Sequence, residues 1–267
     1  QSGISKNAID SYLSSDGLPI ALSSNYKGDK TIADVLANRD GRMAGTVVPA
    51  VRIQGVASNY SSSGFSTLKF LNEAFKNDQM ATSYVNTTDA PIVRYGEVLV
   101  NYAEACAELG LLTQEALDKS INKLRARTGV NLPKLEVIGD QAAVNGKVYV
   151  DPQRDPAVSS LIWEIRRERR SELIFEGFRL DDLRRWKKLA YADTDLNPSI
   201  NLGAYIDKNQ YTPDQLKSIT LTTGGYILPS PIAGRKVLEK YYLDPIPLDQ
   251  IALYRNNGSE LPQNPGW

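Results

Sequence analysis

Apolar positions along the chain follow three regimes. From residue 1 to about 90 they come in short runs, such as Thr46 to Ile53, between stretches rich in Ser, Asn, Gly, Asp and Tyr. That pattern predicts short strands between long loops. Short helices are expected only over Ile32 to Ala37 and Lys69 to Phe75. From 91 to 189 apolar residues recur at helical spacing, and from 190 to 267 loops return, ending in a Pro-rich, extended tail. The regimes divide the chain into a loop-rich candidate ligand-binding region (1–90), a helical scaffold (91–189) and a loop-rich C-terminal region packing on that scaffold (190–267).

In the scaffold, Tyr95, Val98, Leu99, Tyr102, Cys106 and Leu109 form an apolar stripe on a helix from about Ile92 to Leu109, stopped by Gly110. A second helix follows Thr113, carries Leu117, Ile121 and Leu124, and ends before Gly129. The short link predicts an antiparallel helical hairpin. Asn145-Gly146 between Ala142-Ala143-Val144 and Val148-Tyr149-Val150 reads as a type I′ β-hairpin. Asp155 with Pro156 is expected to cap a helix running to Gly177, and Asp181 a further helix through Leu183, Trp186 and Leu189. Thr212, Pro213 and Gln215 fit a capping box.

Dense paired charge marks the segment from Ile165 to Trp186. Leu161, Ile162 and Ile165 give a core-facing stripe that resumes at Leu173, Ile174 and Phe175. Between them Glu164, Glu168, Glu172 and Glu176 recur every four residues, with Arg167, Arg169 and Arg179 three or four residues from a member. Such a row is an ion-pair lattice or a site. A carboxylate di-iron centre needs Glu-x-x-His pairs, and the chain has no His. A glycosidase needs one carboxylate kept protonated by an apolar setting, whereas Arg flanks each candidate and lowers its pKa. Nucleic acid would need a basic field, but 31 Lys and Arg balance 31 Asp and Glu. The row is therefore read as structural, bridging this helix to its neighbours.

At 267 residues and 42% hydrophobic content the chain can bury a core as one domain or two small ones. Lacking His, it has no His-based triad, His-ligated zinc or His proton shuttle, and no cofactor or metal is expected. The single cysteine, Cys106, cannot form an intrachain disulfide and is read as a buried structural residue. No run is apolar enough to span a bilayer and no signal peptide is present. The chain starts at Gln1 and not Met, so any targeting information upstream lies outside it.

The hairpin from Asn101 to Arg127 resembles a tetratricopeptide unit, with Ala103 and Ala116 at its small positions and Gly110 at its turn. One repeat cannot bury its own face, so this unit is expected to stack on others. Several segments together resemble the SusD/RagB family of outer-membrane nutrient-binding lipoproteins of Bacteroidetes. They are Asp16-Gly17-Leu18-Pro19-Ile20; Asn38-Arg39-Asp40-Gly41-Arg42-Met43, with Gly41 for the usual Pro; Gly64-Phe65 with Lys69-Phe70; Arg94-Tyr95-Gly96-Glu97; and Asn101-Tyr102-Ala103-Glu104. The pattern continues through Asn122 to Gly129, Glu168-Arg169-Arg170 to Trp186, Tyr242 to Pro247 and Gln263 to Trp267. Family members are roughly twice as long, and the match is to their C-terminal half. The resemblance implies a mainly α, SusD-like fold with tetratricopeptide-like hairpins. It implies a non-catalytic protein, lipid-anchored at the cell surface through a missing N-terminal half. Such a protein captures oligosaccharides or peptides for a TonB-dependent SusC-like transporter.

Sugar capture without chemistry needs exposed aromatic platforms beside polar partners. Loop residues of that kind are Tyr26, Asn59, Tyr60, Phe65 and Tyr84, with Phe65 also matching a family scaffold motif. Trp163 and Trp186 are placed in the core, and Trp267 is ambiguous. The triplets at Asn59, Asn86 and Asn257 are treated as unmodified. Two alternatives stay open: a glycoside hydrolase using two carboxylates, and a tetratricopeptide-type protein-interaction scaffold.

Overall fold

The computed structural model describes residues 3–57, 59–71, 73–75, 91–229 and 234–267. In chain order the described residues form α1 (Lys6–Asp10), α2 (Ile32–Leu36), β1 (Val47–Val51), β2 (Phe65–Thr67), α3 (Tyr95–Glu108), α4 (Gln114–Lys119) and α5 (Ile121–Arg125). They continue with β3 (Glu136–Ile138), β4 (Gln141–Val144), β5 (Lys147–Val148), α6 (Ser160–Glu172), α7 (Arg179–Arg185), α8 (Pro213–Leu216) and α9 (Leu248–Asn256). The protein is mainly helical with short strands and long loops, as its sequence predicts. Contacts group it into two compact units, Gln1–Gly177 with Leu202–Pro229, and Phe178–Asn201 with Ser230–Trp267.

In the larger unit α3 packs against α6 and against the short helices α4 and α5. Ala103 and Ala116 are buried, so their lack of bulk lets the tetratricopeptide-like pair approach closely. The second helix of the pair is broken where the sequence predicts continuity. Ser120 takes φ −131° and ψ −97°, and its hydroxyl donates to the Ala116 carbonyl at 2.6 Å, so the side chain competes with the helical ladder. Beyond it β3, β4 and β5 make an antiparallel sheet. Asn145 (φ 52°) and Gly146 (φ 73°) close the expected hairpin, both in the left-handed region a type I′ turn requires. A separate core gathers α1, α2, β1, β2 and the returning segment 202–229 around Ile9, Tyr12, Val47, Phe65, Ile206 and Ile227.

Several local expectations are corrected. Helix α6 starts at Ser160, capped by Ser159; Asp155 instead accepts the Ala157 amide at 2.8 Å in a turn of its own. It also stops at Glu172, short of Gly177. There the Lys69 ammonium takes the carbonyls of Glu172 (3.1 Å) and Ile174 (2.7 Å), and Phe175 turns to φ 64° and is exposed. Among the described residues of 69–75, Glu73–Phe75 forms one 3-10 turn and the others are not helical. Asp181 lies in the first turn of α7 and does not cap it, and α7 ends at Arg185. The capping box at Thr212 is present as predicted.

The largest correction concerns α3. Its buried positions are Gly96, Leu99, Val100, Ala103 and Glu104, whereas Tyr95, Val98, Tyr102 and Leu109 are exposed. The helix is apolar on two stripes, and periodicity alone does not say which one faces the core. Cys106 is correspondingly only half-buried.

The smaller unit holds α7 and α9, with Asp181 and Asp182 favourably placed at the positive end of α7. The Trp267 indole donates to the carbonyls of Lys240 (3.1 Å) and Leu243 (3.0 Å), tying the C-terminal residue into its own unit.

Gly41 sits where backbone meets backbone: a Cβ there would lie 1.5 Å from the Gly129 carbonyl oxygen, which has no flexible side chain to move. Gly41→Ala is expected to cost about 2 kcal/mol or more. Tyr102→Ser on the exposed stripe should stay within about 0.5 kcal/mol of the parent. Urea denaturation of both variants checks the pair; equal midpoints would contradict it.

Candidate functional site

The carboxylate row of α6 is fully occupied. Glu168 accepts from Arg42 at 2.8 Å and from Arg125 at 2.7 Å, with no side-chain exposure at either Glu168 or Arg125. Glu172 meets Arg94 and Arg127, each at 2.6 Å, and Arg42 at 3.3 Å. Glu176, just past the helix, meets Arg94 at 2.7 Å and Lys69 at 2.5 Å. Glu164 meets Arg167 at 3.0 Å, and Arg167 also pairs with Asp151. Burial works to raise these carboxyls. At Glu172 the guanidinium groups of Arg42, Arg94 and Arg127 overcome it and hold the pKa down at about 2. At Glu168, Arg125 and Arg42 likewise lower it. Only at Glu164 does burial outweigh Arg167, and that carboxyl is 1% exposed and so closed to a substrate.

This is the predicted ion-pair lattice, with partners the local sequence did not show: Arg42, Arg94, Arg125 and Arg127 all come from elsewhere in the chain. No group of three or more His, Cys, Asp or Glu among the described residues could hold a metal ion.

Loop aromatics gather at a different place. Tyr205 and Tyr226 face each other across an isolated antiparallel bridge, with ring centroids 5.6 Å apart at 70°. The Tyr226 hydroxyl donates to Asp29 at 2.8 Å and accepts from Lys30 at 3.0 Å. Lys6 links Asp10 (2.5 Å) to Asp29 (3.0 Å). Tyr26, predicted from sequence, borders this group: its half-buried ring lies 5.5 Å from the Arg39 guanidinium. Burial raises the Tyr26 phenol, and Asp10 adds to the effect.

The other predicted residues are not brought together with it. Asn59 is exposed and Tyr60 half-buried, and among the described residues no ring contact joins Tyr60 to Tyr26. The turn after Tyr60 is internal, since the Ser61 hydroxyl donates to the Phe65 carbonyl at 2.9 Å. Phe65 is 3% exposed and packs in the core, so its ring is not a platform for a ligand. Tyr84 lies outside the described residues. Trp163 and Trp186, placed in the core from sequence, are half-buried: the Trp163 indole donates to Asp151 at 3.1 Å, and Arg185 lies 4.8 Å from the Trp186 ring.

Tyr205 and Tyr226 are loop aromatics not singled out from the sequence. Each sits beside Gly, Asp or Thr in a loop (LGAYID, GGYIL), the same signal that marks Tyr26, but in the C-terminal third of the chain.

Residues 2–267 match the SusD family, and the chain belongs to it. A SusD-like carbohydrate binding protein from Bacteroides fragilis NCTC 9343 has the same fold at 23% identity and a TM-score of 0.62, over 92% of this chain and 46% of its own length. A SusD-like protein from the same organism matches at 21% identity and a TM-score of 0.57, over 99% of this chain and 47% of its own. The chain thus spans less than half the length of these structures. No curated protein matches it.

The lowered carboxyl pKa values set the acid limit of the fold. A carboxylate held below its ordinary value of 4.5 contributes stability that is complete above that value and is lost as pH falls towards about 2, as for Glu172. Glu164 acts in the opposite sense, its raised pKa favouring the protonated form. Denaturation at pH 7 and pH 2.5 is expected to show a loss to which Glu172 contributes about 3 kcal/mol. Glu172→Gln should lower stability at pH 7 and shrink that pH dependence; an unaltered pH slope would contradict the lattice assignment.

Proposed function

We propose that this SusD-family chain captures oligosaccharides at the cell surface without cleaving them, for delivery to a TonB-dependent SusC-like outer-membrane transporter. The observation that carries the reading is the pairing of Tyr205 and Tyr226 beside Asp29 on irregular backbone. Aromatic faces beside hydroxyl-bonding groups suit a sugar ring, which presents C–H faces and hydroxyl edges. Asn59 and Tyr60, and Tyr84 outside the described residues, remain candidates for further contacts. Family membership supports the carbohydrate reading, one structural relative being described as a carbohydrate binding protein.

A hydrolase is disfavoured because Glu168, Glu172 and Glu176 are each clamped by two or more cations. Acid and base chemistry needs a carboxyl able to give or take a proton near neutral pH. No helix among the described residues is long and apolar enough to cross a membrane, and surface attachment is proposed through a lipid anchor on an N-terminal half. The exposed α3 stripe of Tyr95, Val98, Tyr102 and Leu109 supports docking of helices from that half, as stacked tetratricopeptide units require.

Isothermal titration against soluble oligosaccharides and peptides, with chromatography of the mixtures, tests the reading. The expected result is sugar binding with every glycosidic bond intact. Product release abolished by changing one Glu would replace it with the hydrolase, and peptide binding alone would replace the ligand class. Tyr60→Ala is expected to weaken binding by about 1 to 2 kcal/mol with little change in Tm. A large fall in Tm would instead mark Tyr60 as a packing residue.

A further inference from the structure

Two short segments carry the aromatic pair in the same alternating way. Ala204, Ile206 and Ile227 point into the core at 2%, 2% and 1% exposure, while Tyr205 and Tyr226 between them are half-buried. Backbone bonds lock the segments: the Ile206 amide donates to the Gly225 carbonyl at 2.8 Å, and the Ile227 amide to the Ala204 carbonyl at 2.9 Å. Gly225, at φ 84°, leaves room for the Tyr205 ring, because a Cβ there would lie 2.7 Å from a ring carbon. The rings are therefore held in place before any ligand arrives, which removes an ordering cost from binding.

The Lys30 side chain lies over both rings, while Lys6, held in its ion pairs, lies 5.7 Å from the Tyr226 centroid. The Lys30 ammonium lies 4.1 Å from the centroid of Tyr205 and 4.7 Å from that of Tyr226, yet the Lys30 side chain is 59% exposed. Its only close polar hold is the 3.0 Å bond to the Tyr226 hydroxyl among the described residues, the Asp29 carboxylate being 3.8 Å away. Asp29 is already engaged by Lys6 and by the Tyr226 hydroxyl. An exposed cation–π contact is weak, so this cover is easily moved aside.

We infer that the Tyr205 face is the stacking floor, and Tyr226 the side wall at 70° to it, of a subsite for an uncharged pyranose ring, and that Lys30 covers this floor until the ring displaces it. The inference rests on the carbohydrate reading above and deepens it by naming the subsite and the charge of its ligand. The charge follows from the surroundings. The Asp29 carboxylate bonds the Tyr226 hydroxyl at 2.8 Å, so an acidic sugar placed on the floor in place of Lys30 would meet a like charge. Hydroxyl groups, by contrast, find an acceptor in the Asp29 carboxylate.

The test titrates the full chain with neutral hexasaccharides of glucose, mannose, xylose and galactose, and with an oligogalacturonate as the acidic probe. A neutral probe is expected to bind, and Tyr205→Ala and Tyr226→Ala each to weaken it at least tenfold with an unchanged near-ultraviolet spectrum apart from the lost tyrosine. Tyr205→Phe keeps the ring and should stay within threefold of the parent, while Lys30→Ala should bind at least as tightly as the parent. Neutral binding that survives both alanine variants would overturn the subsite and leave the carbohydrate reading standing. So would a tenfold loss in Lys30→Ala overturn the role of Lys30 as a cover. Preference for the oligogalacturonate would overturn the assigned charge, and binding of no probe at all would remove the carbohydrate reading together with the subsite.

Discussion

The buried pairing of Glu168 with Arg42 and Arg125 is the constraint around which the larger unit is arranged. A carboxylate and the Arg125 guanidinium without solvent contact, joined by a nearly buried Arg42, are tolerable only when their charges are matched. Arg42 comes from the loop before β1 and Arg125 from the end of α5, so satisfying Glu168 fixes two distant parts of the chain against α6. Glu172 extends the same arrangement to Arg94 at the start of α3 and to Arg127. Removing one member would strand a buried charge, at a cost of about 3 to 5 kcal/mol. The lattice therefore specifies which segments surround α6 more than it adds net stability.

That commitment has a functional consequence. Carboxylates already saturated by arginine can neither shuttle protons near neutral pH nor offer acceptors to a sugar. In the proposed reading the helices act as a frame, and recognition falls to backbone that is irregular but anchored. The segment 202–229 has that character: Ala204, Ile206 and Ile227 are sunk in the core beside Phe65 and Val47, while the tyrosines alternate outwards. A core on one side and an aromatic surface on the other give the loop rigidity without a long strand.

How far the sequence could be read depended on the range of the interactions involved. The type I′ hairpin at Asn145-Gly146, the capping box at Thr212 and the small positions Ala103 and Ala116 were legible because each depends on residues near it in sequence. The four-residue repeat of glutamates identified the lattice, but not its partners, since Arg42 and Arg125 reach Glu168 only through tertiary packing. Helix ends were misplaced where a distant side chain intervened, as Lys69 does at the end of α6. The face of α3 was misread because Leu99 and Val100 lie beside a second apolar stripe. At the candidate site Tyr26 was legible as a loop aromatic. Tyr205 and Tyr226 carry the same local signal, but their placement beside Asp29 was not legible, because the return of 202–229 to the first unit is a matter of topology. Phe65 shows the reverse case, a loop-like motif whose ring belongs to the core.

The division of labour between lattice and loops is tested most directly by a crystal structure of the chain soaked with an oligosaccharide it binds. The account predicts a sugar ring resting on loop tyrosines, with Arg42, Arg94, Arg125 and Arg127 still seated on their glutamates. A sugar bound against Glu164, Glu168 or Glu172, with a guanidinium pushed aside to admit it, would contradict the account.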